Sequence, residues 1–253
     1  MVATVPDWVE LSATWRHSAV APGPSAHRID LRDAGAVDAL VRVVDPEVVV
    51  HAAYTLHDSA DIVGATRNVA LACAATGASL VQLSTDAVFD GEHAPYAEDH
   101  LPAPVNDYGR WKLEAEGFAR RWVPDVCITR TSLVVSLEPP DPATRRVFDA
   151  ADGRADMTLF TDELRQPIWA EDLVAELWSL VGSGRGERRG VWHLPGAEVL
   201  SRFDLGRRVC LAAGLDPSRL SGGVQADVAG VRPRDLTMSQ RRRVELGHPP
   251  RPI

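Results

Sequence analysis

Residues 47–53 read Glu-Val-Val-Val-His-Ala-Ala, an almost continuous apolar run. Such a run is typical of a strand that is buried on both faces of a parallel sheet. Before it, apolar residues recur at helical spacing from Asp33 to Val44, and Pro46 ends that pattern. After it, Ser59 to Thr76 reads as a second helix that Gly77 closes. A buried strand between two helices is typical of an α/β protein.

The same alternation extends to both sides of this segment. Before residue 141 the pattern predicts strands at 8–15, near 28–29, at 78–84 and at 126–135, and a helix at 108–122. Beyond Pro142 it predicts helices near 143–152, 170–182 and 201–213, and short strands near 157–161 and 190–194. We therefore expect a core in residues 1–140, with residues 141–253 mostly a smaller cap whose strands return to the core.

Composition excludes several classes of protein. The net charge of −8 argues against a general nucleic-acid binder, which needs a basic face. No apolar run approaches the ~20 residues of a membrane helix, and residues 1–10 do not resemble a signal peptide. The three cysteines are few, odd in number and set in apolar contexts, which predicts reduced core thiols and a cytoplasmic location.

One lysine, Lys112, stands among 27 lysines and arginines, and it follows Tyr108 by four residues. Positions i and i+4 share a face of a helix, so the phenol and the ammonium would project together. An adjacent positive charge stabilises a phenolate, which lets a tyrosine exchange a proton with a carbonyl or alcohol oxygen. A bare Tyr-x-x-x-Lys is a weak motif, and a surface lysine beside an amphipathic tyrosine is the alternative.

Two hydroxyl groups, on Ser84 and Thr85, end the strand that precedes a long loop at 85–107. Ligands of α/β proteins bind outside the carboxyl ends of parallel strands. A hydroxyl there could orient the oxygen of a carbonyl that is being reduced. A turn or helix cap is the competing interpretation.

These motifs follow one another in a familiar order. The ordered set is Asp30-Leu31-Arg-Asp33, Val48-Val-Val-His-Ala-Ala53, Leu83-Ser-Thr-Asp86, Val88-Phe-Asp-Gly91, Pro104-x-Asn106-x-Tyr108-Gly109 and Lys112-Leu-Glu114. It resembles extended short-chain dehydrogenases, and within them the dTDP-4-dehydrorhamnose reductases and their sugar-nucleotide-binding relatives, over about residues 8–240. The resemblance implies a Rossmann-like, doubly wound parallel sheet with a small C-terminal substrate-binding cap.

The resemblance also implies a reaction, the NAD(P)H-dependent reduction of a nucleotide-linked 4-keto-deoxysugar in deoxysugar biosynthesis. NADP is favoured over NAD because Arg16 is placed to meet a 2′-phosphate. Implied partners are the nucleotide sugar and, as one option, a second copy of the chain, with no nucleic acid and no membrane. The implied catalytic residues are Tyr108 as general acid, Lys112 beside it, and Thr85 and Ser84 at the substrate oxygen. The implied cofactor contacts are Arg16, Asp30, Leu31, Ala52, Ala53, Tyr54 and Lys112, and the implied substrate contacts are Asp86, Val88, Phe89, Asn106, Arg130, Gln166 and Trp169.

The sequence departs from the family at its start. A strand and a Gly-x-x-Gly-x-x-Gly turn normally cradle the pyrophosphate, but no glycine precedes Gly23. We expect that the start of the sequence is wrongly placed and omits this first βα unit. Without that unit, we expect the protein to bind the cofactor weakly and to be poorly stable. The alternative is a naturally short protein.

Two other functions stay open. A sugar-nucleotide epimerase or dehydratase would have the same fold, and a non-catalytic binding or regulatory subunit would fit the absent glycine turn. Ala87 stands where the family often has tyrosine, which leaves the sugar undetermined. No histidine or cysteine spacing predicts a metal site, and the basic run 241–243 is interpreted as solvated surface.

Overall fold

Strands and helices alternate along the chain as the sequence predicts. The structure is a computed structural model that describes residues 4–17, 25–56, 58–228, 230–247 and 249–253; Gly23 lies outside them. The strands are β1 (Ser12–Trp15), β2 (Ser25–Arg28), β3 (Val48–His51), β4 (Ser79–Thr85), β5 (Cys127–Thr131), β6 (Val134–Val135), β7 (Thr158–Phe160), β8 (Leu164–Arg165), β9 (Ile168–Trp169), β10 (Gly190–Leu194), β11 (Leu200–Ser201) and β12 (Ser221–Gly223). The helices are α1 (Ala34–Val44), α2 (Ala65–Thr76), α3 (Asp107–Trp122), α4 (Pro142–Ala151), α5 (Ala170–Gly182), α6 (Arg185–Arg188) and α7 (Arg202–Ala212).

Local capping explains where the early helices begin and end. The Asp33 side chain accepts a hydrogen bond from the backbone N–H of Ala36 and caps α1. Asp45 ends that helix in the left-handed conformation, with φ of 46°, and Pro46 follows. Gly77 ends α2 with φ of 78°. These C-terminal ends confirm the ones expected from the sequence, whereas the helix expected from Ser59 starts as a π-helix at Ala60–Gly64 and is α-helical only from Ala65.

The chain divides into two compact units that interleave along the sequence. The first contains Met1–Ser84, Arg110–Thr129 and Leu177–Val191, and the second contains Thr85–Gly109, Arg130–Glu176 and Trp192–Ile253. These units differ from the expected division into 1–140 and 141–253, because the chain passes from one unit to the other several times.

Parallel strand pairs and a helix-covered core characterise the first unit. β3 and β4 are parallel, with Val48 opposite Ser79 and His51 opposite Gln82, and they lie in a four-stranded sheet of order β10–β5–β4–β3. β1 and β2 form a separate parallel pair. The predicted α/β class is therefore confirmed. The buried core of this unit consists of Val37, Val41, Val69, Ala70, Ala72, Cys73, Ala78, Leu80, Ala119, Val123, Val126 and Ile128.

The second unit has its own core and three two-stranded pairs. β6 pairs with β9 and β7 with β12 in parallel, whereas β8 and β11 are antiparallel. Its buried core contains Val135, Val147, Ala150, Ala151, Leu159, Leu200, Leu205, Val209, Cys210 and Leu220. The sequence did not predict β8, β9, β11 or β12, because strands of two or three residues are too short to show a period.

Two side-chain interpretations can be compared with the structure directly. Cys73, Cys127 and Cys210 are free and buried, so their predicted place in the core is confirmed. The basic run was expected to be solvated, but Arg243 is buried and forms an ion pair with Glu176. Arg242 places its guanidinium 3.9 Å from the centre of the Trp192 ring. The surface interpretation is therefore wrong for Arg243, whereas Arg241 is exposed and Arg242 is half-buried.

Candidate functional site

The helix α3 carries both members of the Tyr-x-x-x-Lys motif, Tyr108 in its first turn and Lys112 one turn later. Asn106 helps to begin this helix, since its Oδ1 accepts a hydrogen bond of 2.8 Å from the backbone N–H of Gly109. Gly109 has no room for a side chain: a Cβ there would lie 2.1 Å from the Ala87 carbonyl oxygen. The helix start is thus seated directly on the turn at 86–88.

Lys112 is buried within the first unit, with only 5% of its surface exposed. Its Nζ donates a hydrogen bond of 2.7 Å to the Leu83 carbonyl and lies 5.1 Å from the centre of the Tyr54 ring. Burial lowers the pKa of Lys112 to about 8, and the Glu116 carboxylate opposes that change. A buried lysine on α3 excludes the alternative of a snorkelling surface side chain.

Ser84 points toward α3 and uses its hydroxyl there. Its Oγ donates a hydrogen bond of 2.6 Å to Glu116 Oε1, and both residues are buried. Side chains alternate between the faces of a strand, so Ser84 and Thr85 face opposite ways. The structure thus differs from the expectation that both hydroxyls serve one substrate oxygen, because the Ser84 proton is already donated to Glu116.

Thr85 lies in the second unit at the end of β4. Its Oγ1 accepts a hydrogen bond of 3.2 Å from the Ala87 N–H and lies 3.2 Å from Asp86 Oδ1. Asp86 is buried and accepts a hydrogen bond of 2.7 Å from the Ser132 hydroxyl. Burial raises the pKa of Asp86, and the nearby Arg165 opposes this. The turn at 86–88 is therefore held by two polar contacts, one from the Ala87 N–H to Thr85 and one from Ser132 to Asp86.

Several expected substrate contacts are buried in the second unit. Phe89 stacks on Tyr96 at 4.1 Å between ring centres, and the Arg130 guanidinium lies 5.1 Å from the Phe89 ring. Gln166 receives a hydrogen bond of 2.6 Å from the Met238 N–H at its Oε1. Val88 is fully buried as well. Their direct contact with substrate stays a prediction, and the structure gives each a packing role.

Trp169 is the only one of these expected contacts taken from β9. It is half-buried, and its indole N–H donates a hydrogen bond of 2.9 Å to the Pro252 carbonyl. This bond ties the chain terminus to the second unit. A substrate contact by Trp169 stays a prediction too.

A charged cluster in the first unit surrounds the expected adenosine contacts. Arg16 forms two hydrogen bonds to Asp61, of 2.5 and 2.8 Å, and Thr55 donates to the same carboxylate. Arg32 forms a bidentate pair with Asp30, and this pairing is the main cause that lowers the pKa of Asp30. Leu31 accepts a hydrogen bond from Asn68 at its carbonyl oxygen. Sequence inspection missed the contribution of Asp61 and Arg32.

The residues that follow β3 lie open to solvent. Ala52, Ala53 and Tyr54 are exposed, whereas His51 just before them is buried. This is the arrangement that a strand end needs if it lines a cofactor cleft. Within the described ranges, no group of three or more His, Cys, Asp or Glu residues could hold a metal ion. A search of the same residues finds no helix with the length and apolar character of a membrane span.

Comparisons with known proteins agree on one family. The model of the family described as RmlD substrate binding domain matches residues 9–252. The dTDP-4-dehydrorhamnose reductase of Mycolicibacterium smegmatis is 34% identical over 242 residues, which cover 89% of this chain and 72% of that protein. The dTDP-4-keto-6-deoxy-D-glucose reductase of Streptomyces niveus is 31% identical over 82% of this chain and 76% of its own length.

A solved structure supports the fold. The dTDP-4-dehydrorhamnose reductase of Bacillus anthracis, solved in complex with NADP, superimposes with a TM-score of 0.77. The match has 22% sequence identity and covers 92% of this chain and 90% of that one. At this identity the likeness speaks for the Rossmann-like architecture alone.

Proposed function

The chain belongs to the RmlD substrate binding domain family, and on this basis we propose that it reduces the keto group of a dTDP-linked 4-keto-6-deoxysugar with NADPH or NADH. The observation that carries the proposal is the buried Lys112 one turn after Tyr108 on α3. A cation held in that place can stabilise the phenolate that a proton-donating tyrosine leaves behind. The two relatives described above are named as reductases of such dTDP-linked sugars.

The residues present fit a nicotinamide dinucleotide. An ammonium has three donors, and one of those on Lys112 is used by Leu83, so the others are suited to ribose hydroxyls. Arg16 and Arg32 supply guanidinium groups near the exposed end of β1, where an adenosine 2′-phosphate would be recognised. When bound, the cofactor supplies a hydride to the carbonyl carbon of the sugar.

The chain's own residues would then manage the proton and the geometry. Tyr108 gives its hydroxyl proton to the carbonyl oxygen as that oxygen becomes an alcohol. Thr85 hydrogen-bonds the same oxygen and fixes its position. Lys112 stabilises the phenolate and binds the nicotinamide ribose. Ala52, Ala53, Tyr54, Asp30 and Leu31 line the cofactor cleft.

The setting of the protein is part of the same proposal. We assign a cytoplasmic location, since the three free cysteines suit a reducing compartment.

The function is tested by cofactor consumption. Purified protein is mixed with NADPH or NADH and a dTDP-4-keto-6-deoxyhexose, and loss of the reduced nicotinamide absorbance is followed. We expect one nicotinamide to be oxidised for each sugar reduced. An epimerase or dehydratase would return its cofactor unchanged, and a binding subunit would change the thermal stability with dTDP-sugar without turnover. Either of those results would reject the reductase assignment.

Cofactor choice gives a separate prediction at Arg16. Because Arg16 is paired with Asp61, a 2′-phosphate must share this guanidinium with a carboxylate. We expect Arg16→Ala to weaken NADPH binding by about tenfold, the size of one charge-assisted hydrogen bond. NADH binding should change little, since NADH lacks that phosphate. Isothermal titration with both cofactors measures this, and an equal loss for the two would show that Arg16 does not read the phosphate.

A further inference from the structure

Three polar side chains are buried together where α3 packs on β4 in the first unit. Ser84 on β4 and Lys112 and Glu116 on α3 are each no more than 5% exposed. Lys112 and Glu116 are four residues apart, so they share one face of the helix. The proposed chemistry uses Lys112 but assigns nothing to the carboxylate below it.

The hydrogen bonds of Glu116 stabilise it as an anion. Ser84 Oγ donates to Oε1 at 2.6 Å, and the Arg120 guanidinium donates to Oε2 at 3.2 Å. Donors on both oxygens favour the charged form of a carboxyl group even when it is buried. Glu116 is 1% exposed, so its field is screened by little water.

The other groups around Lys112 do not supply a countercharge. From β4 it receives the neutral Leu83 carbonyl, and from the segment after β3 the Tyr54 ring. His51 on β3 is buried, and burial together with the Lys112 charge lowers its pKa to about 3, so it is neutral. Tyr108 lies one turn earlier on the same helix and carries no carboxylate. Within the described part of the first unit, Glu116 is the anion that opposes the cost of burying this ammonium.

We propose that Glu116 is a positioning residue: its buried charge, four residues after Lys112 and fixed by the Ser84–Glu116 hydrogen bond between β4 and α3, keeps Lys112 protonated. Ser84, Lys112 and Glu116 all lie in the first unit, so the effect of Glu116 on the charge of Lys112 can be tested without any assumption about the reaction. Its consequence for turnover rests on the reductase function proposed above. Ser84 thereby acquires a role in holding the helix that bears Tyr108, in place of the substrate contact expected for it.

The only lysine in the sequence makes a direct test practicable. Protein labelled with ¹³C at lysine Cε gives a single lysine NMR signal, whose chemical shift reports the protonation of Lys112 as pH is varied. Glu116→Gln keeps the size of the side chain and an acceptor for Ser84 but removes the charge. We expect the titration midpoint of Lys112 to fall by roughly one pH unit, since a nearby opposite charge raises a lysine pKa by about that much or more.

Two further variants separate charge from packing. Glu114→Gln makes the same chemical change at an exposed site two residues from Lys112 and should leave the midpoint in place. Glu116→Asp keeps the charge on a shorter side chain, so its titration midpoint for Lys112 should lie closer to that of the unaltered protein than to that of Glu116→Gln. Equal midpoints in Glu116→Gln and the unaltered protein would overturn the proposal, and so would a shift of the same size in Glu114→Gln. If Glu116→Gln does not fold, the unaltered protein still decides: a midpoint below about 7 would mean that Lys112 is neutral near neutral pH.

A kinetic readout then distinguishes this proposal from the function itself. If the protein is a reductase, the alkaline limb of its kcat–pH profile should move to lower pH in Glu116→Gln and stay unmoved in Glu114→Gln. A shifted NMR midpoint in a protein without reductase activity would support the role of Glu116 and reject the proposed function. An unshifted midpoint in an active enzyme would do the reverse.

Discussion

Replacing Tyr108 with phenylalanine is expected to lower kcat by roughly 100- to 10,000-fold, the usual contribution of a positioned general acid. The change removes one hydroxyl and leaves the ring, so α3 should keep its place. The measurement is steady-state oxidation of NADPH in the presence of a dTDP-4-keto-6-deoxyhexose. A loss in kcat with little change in cofactor affinity would identify the hydroxyl as a group that acts in the transition state.

The matched control is a second tyrosine, Tyr54, which lies in the first unit. Tyr54 is half-exposed, and Lys112 Nζ lies 5.1 Å from the centre of its ring, a contact that the phenyl ring of Tyr54→Phe retains. Since Tyr54 is proposed to line the cofactor cleft, an effect of Tyr54→Phe is expected on the KM for NADPH, whereas kcat should stay within about threefold of the unaltered protein because no proton transfer is assigned to Tyr54. Turnover by Tyr108→Phe at a rate comparable with Tyr54→Phe would mean that a different group donates the proton.

The second large effect is expected at the buried ion pair of the second unit. Arg243 and Glu176 are 4% and 1% exposed, and Arg243 also donates to the Pro195 carbonyl. Arg243→Met removes one partner and leaves a carboxyl group in the interior. Removing half of a buried pair costs about 3–5 kcal/mol. Urea unfolding, monitored by tryptophan fluorescence, should show that the free energy of unfolding of Arg243→Met is lower by this amount.

The pH dependence of that loss has a defined sign. Burial raises the pKa of Glu176 to about 7, and Arg243 holds it from rising further. Without Arg243 the folded pKa moves farther above the unfolded value, so the folded state retains a proton that the unfolded state has released. The free energy of unfolding of Arg243→Met should therefore fall as pH rises from about 5 to 8. Its difference from the unaltered protein should be smaller at the acid end of this range.

A double variant tests the cause. Glu176→Met combined with Arg243→Met removes both charges and fills the space with apolar atoms, so most of the stability should return. If the double variant were as unstable as Arg243→Met alone, the loss would come from packing or from the Pro195 contact and the uncompensated charge would not be its cause.

The fold was predictable where hydrophobic period and capping agree. Residues 34–44 and 65–76 have apolar spacing and end at Asp45 and Gly77, and the structure places helices there. The division of the chain was not predictable in the same way. A strand that serves one unit and a helix that serves the other can be adjacent in sequence, and hydrophobic period carries no information about that choice.

The candidate site was predictable by residue type and less so by contact. The spacing of Tyr108 and Lys112 predicted the chemistry proposed above, and continuing it by one more turn would have reached Glu116. Strand alternation separates Ser84 from Thr85, but the partner of Ser84, Glu116, lies 32 residues later and is revealed only by the structure. The pairing of Arg16 with Asp61, 45 residues later in the chain, depends on tertiary structure and leaves no local signal.

The seating of Gly109 on the Ala87 carbonyl has a consequence for anyone who would redesign this protein. Because Gly109 has no side chain, the first turn of α3 packs directly against the backbone of the turn at 86–88, and there is no space between them. A bulkier or longer turn, introduced to admit a different sugar, would displace the Tyr108 hydroxyl as well. Under the proposed function, substrate range and proton delivery by Tyr108 are therefore coupled, and altered specificity should be sought with the backbone of residues 86–88 left intact.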